Sequence, residues 1–143
     1  MKTRFRFEKL DVWQEARIIN QVIYRLTRKF PKEELFAMTS QIRRASISVS
    51  ANIAEGSGRN SDKDFAHFLE QAYGSLMEVA SIFNLALDEG YIKESELDPL
   101  FDELERLARR TVSLNRSLSV STSKTPFNRA PVPALDSRRS TLD

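Results

Sequence analysis

The chain has 143 residues, of which 41% are hydrophobic and 29% are charged, and it contains no cysteine. This length suffices for one domain with a substantial core, and the lack of cysteine excludes disulfides and thiolate metal sites. No apolar run reaches the roughly 18 residues of a membrane span, and no signal-peptide apolar region follows the basic residues 1–6. We therefore expect a soluble cytoplasmic protein that does not bind membranes.

The net charge of +2 hides an uneven distribution of charge along the chain. Residues 1–60 hold 12 Lys/Arg and 6 Asp/Glu, residues 61–118 hold 6 and 12, and residues 119–143 hold 4 and 2. The first half is therefore basic and the second half acidic. Two interpretations stay open: oppositely charged helices pack side by side, or the basic half faces phosphates or an acidic partner.

Apolar residues repeat at intervals of three and four and predict a first helix over about residues 11–30, before Pro31. Asp11 is expected to cap it, with Gln14 at the reciprocal capping-box position. Trp13 is expected to pack over one end of the helix bundle. Three cations in the last turn suit the negative end of the helix dipole, with or without a ligand; they are Arg25, Arg28 and Lys29.

The second predicted helix covers about residues 39–55, with Thr39 as its cap and Gly56 as a left-handed terminator. A stripe that includes Ile42 and Ile53 faces the core. A second surface of small or apolar residues would remain in water in a single bundle, so we predict that it is a subunit contact; it consists of Ile47, Ala51 and Ala54.

The third predicted helix covers about residues 62–89 and is capped by Ser61 with Asp64. Gly74 and Ser81 lie on its back, away from the apolar stripe, and a glycine within a helix costs about 1 kcal/mol relative to alanine. We expect that these two residues form a groove for a helix of the adjacent subunit.

A fourth helix is predicted over about residues 95–118, beginning at Ser95 or at Asp98. Residues 119–143 are rich in Ser, Thr, Pro and Arg, and we expect this tail to be disordered. Four helices with short connections predict an all-α protein, an antiparallel four-helix bundle over residues 1–118.

No catalytic, metal-binding or cofactor site is predicted. A dinuclear carboxylate centre in a helix bundle needs two Glu-x-x-His elements. The chain has one histidine, His67, which is expected on the surface, and it has no cysteine nucleophile. The Gly56-Ser57-Gly58 loop lacks the remainder of any phosphate-binding pattern. By elimination, we expect a protein that is not an enzyme.

Two stretches, Thr39-Ser40-Gln41-Ile42-Arg43-Arg44-Ala45 and Asn52-Ile53-Ala54-Glu55-Gly56, resemble the four-helix-bundle proteins named for intervening sequences in bacterial large-subunit ribosomal RNA genes. The resemblance covers about residues 5–118. It implies a bacterial, ring-like homopentamer without catalysis and with a role at nucleic acid. A related group is the accessory proteins of the reverse transcriptases of diversity-generating retroelements. Ser50 stands where many relatives have proline.

Two functions of different class follow. The first is RNA or DNA binding by a homo-oligomer, with little sequence preference, through several modest basic patches; the candidate residues are Arg25, Arg28, Lys29, Arg43, Arg44 and Arg59. Phe5 and Phe7, which alternate with Arg4 and Arg6, are a weak hint of base stacking. The second function is a scaffold that docks a protein partner such as a reverse transcriptase.

Overall fold

The computed structural model describes residues 2–119. This part of the chain forms four α-helices without any strand, which confirms the predicted all-α class for residues 2–119; the helices are α1 (Asp11–Thr27), α2 (Met38–Ser57), α3 (Asp62–Asp88) and α4 (Glu94–Ser119). The tail that was predicted to be disordered, 119–143, lies outside the described residues except for Ser119, which ends α4.

Contacts between helix ends show that consecutive helices run antiparallel. Near the start of α2, Arg43 donates a hydrogen bond from Nε to Thr27 Oγ1 at the end of α1 (3.0 Å). Near the end of α4, Asn115 donates from Nδ2 to the carbonyl of Ala66 in the first turns of α3 (3.0 Å). Among neighbouring helices, α2 and α3 pack most extensively and α1 and α4 least.

The core runs along the bundle axis and takes side chains from all four helices. Phe83 is the largest fully buried side chain, and the ring of Phe30 meets it edge-on at a centroid distance of 6.2 Å. Burial of each large apolar side chain contributes roughly 1.5–3 kcal/mol. Other fully buried side chains continue the predicted stripes; they include Ile23, Ile42, Ile53, Leu69, Leu76, Leu97, Leu104 and Leu107.

The predicted cap of α1 was wrong. Asp11 is the first helical residue, and Leu10 occupies the N-cap position without a side-chain cap. Gln14 instead donates from Nε2 to the carbonyl of Glu8 (2.8 Å), which ties α1 to the short 3-10 helix Arg6–Lys9 before it. The side chain that had been assigned to the capping box therefore anchors the N-terminal segment.

The predicted ends of α2 were also wrong. Thr39 is buried in the first turn, and its Oγ1 has no hydrogen-bond partner among the described residues. At the other end the helix continues through Gly56, which has no positive φ. A Cβ at Gly56 would lie 2.7 Å from Phe68 Cβ and 2.9 Å from Phe65 Cδ1. Glycine is therefore needed here for the close approach of α3 and not to terminate α2.

Two local predictions for α3 were confirmed. The Ser61 hydroxyl accepts a hydrogen bond from the backbone N–H of Asp64 (3.1 Å) and caps the helix. His67 is exposed, and its Nε2 lies 3.1 Å from Gln71 Nε2. After α3 the chain turns at Gly90, whose φ of 77° favours glycine. Among the described residues, none of the helices combines the length and apolarity that crossing a membrane requires.

Candidate nucleic-acid interface

Arg43 is fixed in place by α1. Its Nε donates to Thr27 Oγ1, and its guanidinium carbon lies 4.5 Å above the centre of the Tyr24 ring, a cation–π contact. Thr27 in turn donates from Oγ1 to the carbonyl of Ile23 (2.8 Å). Arg43 is half-buried, so the structure assigns it to the joint between α1 and α2, with a positive charge at the edge of the surface.

Three other predicted cations surround this joint and are exposed. Arg25 lies in the last turn of α1, Arg28 caps that helix, and Arg44 follows Arg43 on α2. None of the three forms an ion pair or a side-chain hydrogen bond within residues 2–119. The two residues on α1 suit its helix dipole. Arg44 has no such reason for its position, because it lies near the positive end of α2.

Lys29 belongs to the same end of the bundle, but its charge is paired. It forms an ion pair with Glu96 of α4, and the hydrogen bond from Lys29 lowers the pKa of that carboxyl. The α3–α4 side of this end carries further exposed acids, Asp88 and Glu89. The cationic surface is therefore confined to the α1–α2 side, and we define it as Arg25, Arg28, Arg43 and Arg44.

Arg59 does not join the cationic surface. It follows α2 at the opposite end of the bundle, about 22 Å from Arg44 along the helix axis at 1.5 Å per residue. Its guanidinium carbon lies 4.7 Å from the centre of the Phe68 ring, and it pairs with Glu55 at 3.7 Å. These contacts explain Arg59 without a ligand.

The predicted subunit-contact residues lie mostly in water. Ile47 is 48% exposed, Ala51 is exposed and Ala54 is half-buried on α2. On α3, Gly74 and Ser81 are exposed, and a Cβ added to Gly74 would meet nothing within 4 Å. The packing of this chain therefore does not account for the glycine.

Sequence reasoning missed one member of the α3 surface. Leu85 is 52% exposed and lies four residues after Ser81, hence on the same helix face. The two surfaces meet at the same height, because Ser75 donates to Ser48 Oγ (2.9 Å) between the helices. The helical wheel held the signal for Leu85, since it falls on the back of the α3 stripe beside Gly74.

A groove runs between α1 and α4, the least closely packed pair of neighbours. Its volume is about 430 Å³, and it is lined by apolar side chains that include Ile18, which is 59% exposed, and Val22. Its charged rim was not predicted because it combines two helices distant in sequence; the rim residues are Arg25, Lys29, Glu96 and Glu103.

Comparison with known proteins places the fold and these surfaces in a family. A search of curated proteins returned no significant match. The family model described as 23S rRNA-intervening sequence protein matches residues 8–113, which include α1, α2, α3 and most of α4. The matched region contains the whole cationic surface and both exposed faces of α2 and α3. The chain therefore belongs to the 23S rRNA-intervening sequence protein family.

Proposed function

We propose that this protein is a non-enzymatic, cytoplasmic homo-oligomer that binds structured RNA through the cationic surface. The observation that carries the proposal is Arg44: an exposed, unpaired cation near the N-terminal end of α2, where it opposes the helix dipole. Its neighbour Arg43 is held by Tyr24 and Thr27, so part of the positive charge is preorganised. The name of the family is consistent with an RNA-related role.

Phosphate contacts best match the chemistry of this surface. Arginine side chains pair with phosphate oxygens with directional hydrogen bonds, and such contacts give affinity without reading sequence. Arg25, Arg28 and Arg44 have no carboxylate to displace before they bind a phosphate. Acids on the α3–α4 side of the same end would repel the backbone, so the RNA approaches from the α1–α2 side.

The oligomer is part of the proposal because a single copy offers few phosphate contacts. Exposed Ile47 lies three residues after Arg44 on α2, so a contact through Ile47, Ala51 and Ala54 adjoins the cationic surface. The α3 surface with Gly74 and Ser81 is its counterpart, which makes the contact heterologous and able to close a ring. Five copies, the number that the family resemblance implies, would multiply the affinity of each patch.

The test is binding of a fluorescent RNA hairpin to protein freed of co-purifying nucleic acid. Arg28→Glu/Arg44→Glu should abolish binding at low salt, whereas Lys63→Glu/Lys93→Glu, with the same charge change on exposed lysines, should retain most of it. Assembly mass and helical content are measured on each variant. Equal losses in both double variants would contradict a localised surface. Arg43 is left unchanged because its contacts hold α1 to α2.

A second candidate function is favoured by the α1–α4 groove. Its exposed Ile18 and a charged rim of both signs fit a helix or loop of a protein partner, such as a reverse transcriptase. A purified reverse transcriptase from a retroelement should then bind after nuclease treatment, and Ile18→Asp should weaken the complex at least tenfold. Retention of the complex by Ile18→Asp would exclude the groove as its site.

A further inference from the structure

A stack of aromatic rings leads from the solvent to the start of α1. The Phe5 and Phe7 rings are parallel within 5°, with centroids 5.8 Å apart. Phe7 then meets the Trp13 ring at 4.8 Å and 64°. The outer ring is 61% exposed, so the stack ends in an open aromatic face. An aromatic stack closed by protein would bury that last ring.

Several hydrogen bonds fix the segment that carries this open ring. Glu8 accepts both the Arg4 N–H (3.0 Å) and the Phe5 N–H (2.8 Å) at one carboxylate oxygen. These two backbone hydrogen bonds lower the pKa of Glu8, so it remains ionised at neutral pH. Arg6 donates from Nη1 to the Ser57 carbonyl (3.0 Å), which joins the segment to the end of α2. The exposed ring is therefore held in a defined position.

Positive charge surrounds the open ring. Lys2, Arg4 and Lys9 are exposed and have no ion pair within residues 2–119, and Arg17 lies 5.7 Å from the Trp13 ring. Aromatic faces interleaved with cations are the arrangement with which proteins hold single-stranded nucleic acid, because each base offers a π-face and each nucleotide a phosphate.

We propose that Phe5 is a stacking platform for an unpaired base of a single-stranded nucleic acid, with Arg4 and Lys9 neutralising the adjacent phosphates. A base inside a duplex has both faces covered, so the site selects unpaired residues, at little cost in sequence preference. The platform precedes α1, whereas the cationic surface lies at the other end of that helix, about 25 Å away at 1.5 Å per residue. It shares its ligand class with the proposed function but is a separate site.

The test compares two fluorescent probes, a 12-mer of uridine and a blunt RNA hairpin. Phe5→Ala should weaken binding of the single strand about 5- to 100-fold, the loss expected for one stacked base. Phe5→Leu, which keeps an apolar side chain but no ring face, should weaken it as much, and Phe5→Trp should retain it. Hairpin affinity should change less than twofold in all three variants, because the exposed ring contributes no buried packing.

Distinct results overturn the proposal. Absence of single-strand binding by the intact chain refutes it, and so does full affinity in Phe5→Leu, which would indicate an apolar contact only. A change of assembly mass in Phe5→Ala would instead assign the ring to a contact between copies. Oligo-uridine and oligo-thymidine should bind alike, and a preference above tenfold contradicts a site that acts through stacking.

The same probes separate this site from the cationic surface. Arg28→Glu/Arg44→Glu should abolish hairpin binding while single-strand binding persists. If the hairpin never binds but the uridine 12-mer does, the proposed function fails and the stacking platform stands.

Discussion

Replacement of Gly56 with alanine tests the close approach of α2 and α3. The new methyl group would lie 2.7 Å from Phe68 Cβ and 2.9 Å from Phe65 Cδ1, and it would also approach the Phe65 carbonyl at 3.3 Å. Alanine gains up to about 1 kcal/mol of helix propensity over glycine. Insertion of a methyl group into a packed site costs about 1–3 kcal/mol. The second effect should equal or exceed the first, because one of the contacts is to the β-carbon of Phe68, which moves only with the backbone.

Gly58→Ala is the matched control in the same segment. Its added Cβ would lie 3.6 Å from the Glu55 carbonyl, an ordinary van der Waals contact, and its φ of −89° suits alanine. Because propensity favours both variants to a similar degree, their difference in the free energy of unfolding isolates the packing cost of about 1–3 kcal/mol. Urea unfolding followed by far-UV circular dichroism, at one protomer concentration, measures it. Equal stability of the two variants would refute the close-approach account of Gly56.

Three further changes test other contacts. Gly74→Leu should lower the assembly mass while the monomer stays folded, because a side chain at Gly74 has open space around it; analytical ultracentrifugation decides this, and an unchanged mass removes Gly74 from the subunit contact. Arg43→Ala should destabilise the fold by about 1–2 kcal/mol through loss of a hydrogen bond and a cation–π contact, whereas Arg44→Ala should change it by less than about 0.5 kcal/mol in urea unfolding. Glu8→Gln should be less stable than the unmodified chain above pH of about 4.3, the ordinary value for Glu. Since the pKa of Glu8 is lowered by folding, its stabilisation is present above that ordinary pKa and disappears as pH falls through the folded-state pKa; a difference that persists at pH 2 would contradict this.

The sequence was sufficient for features with local signals. Ser61 with Asp64 correctly located the start of α3, because a capping hydrogen bond spans only three residues. The core stripes and the exposure of Ile47 and Gly74 also followed from helical periodicity, since burial in a bundle depends on the face that a residue occupies.

Tertiary contacts determined what the sequence could not predict. Gly56 carries the local signature of a helix terminator, but the approach of Phe65 and Phe68 from another helix decides its role. Likewise, nothing near Arg43 in the sequence indicates that Tyr24 and Thr27 hold its guanidinium, whereas Arg44 beside it stays exposed. Of the six predicted cations, five lie at one end of the bundle, and only the contacts distinguish the paired from the unpaired ones.

The salt dependence of RNA binding tests the central claim most directly. Dissociation constants of a fluorescent hairpin RNA would be measured from low to physiological salt for the intact chain, Arg44→Ala and Arg59→Ala. Both arginines are exposed, but Arg59 pairs with Glu55 and packs on Phe68 at the opposite end of the bundle. The account predicts that the logarithmic salt slope becomes shallower by about 0.7–0.9 per protomer contact for Arg44→Ala, as for loss of one phosphate contact, and stays unchanged for Arg59→Ala. Equal slopes in all three proteins, or no binding by the intact chain at low salt, would contradict RNA binding by the cationic surface.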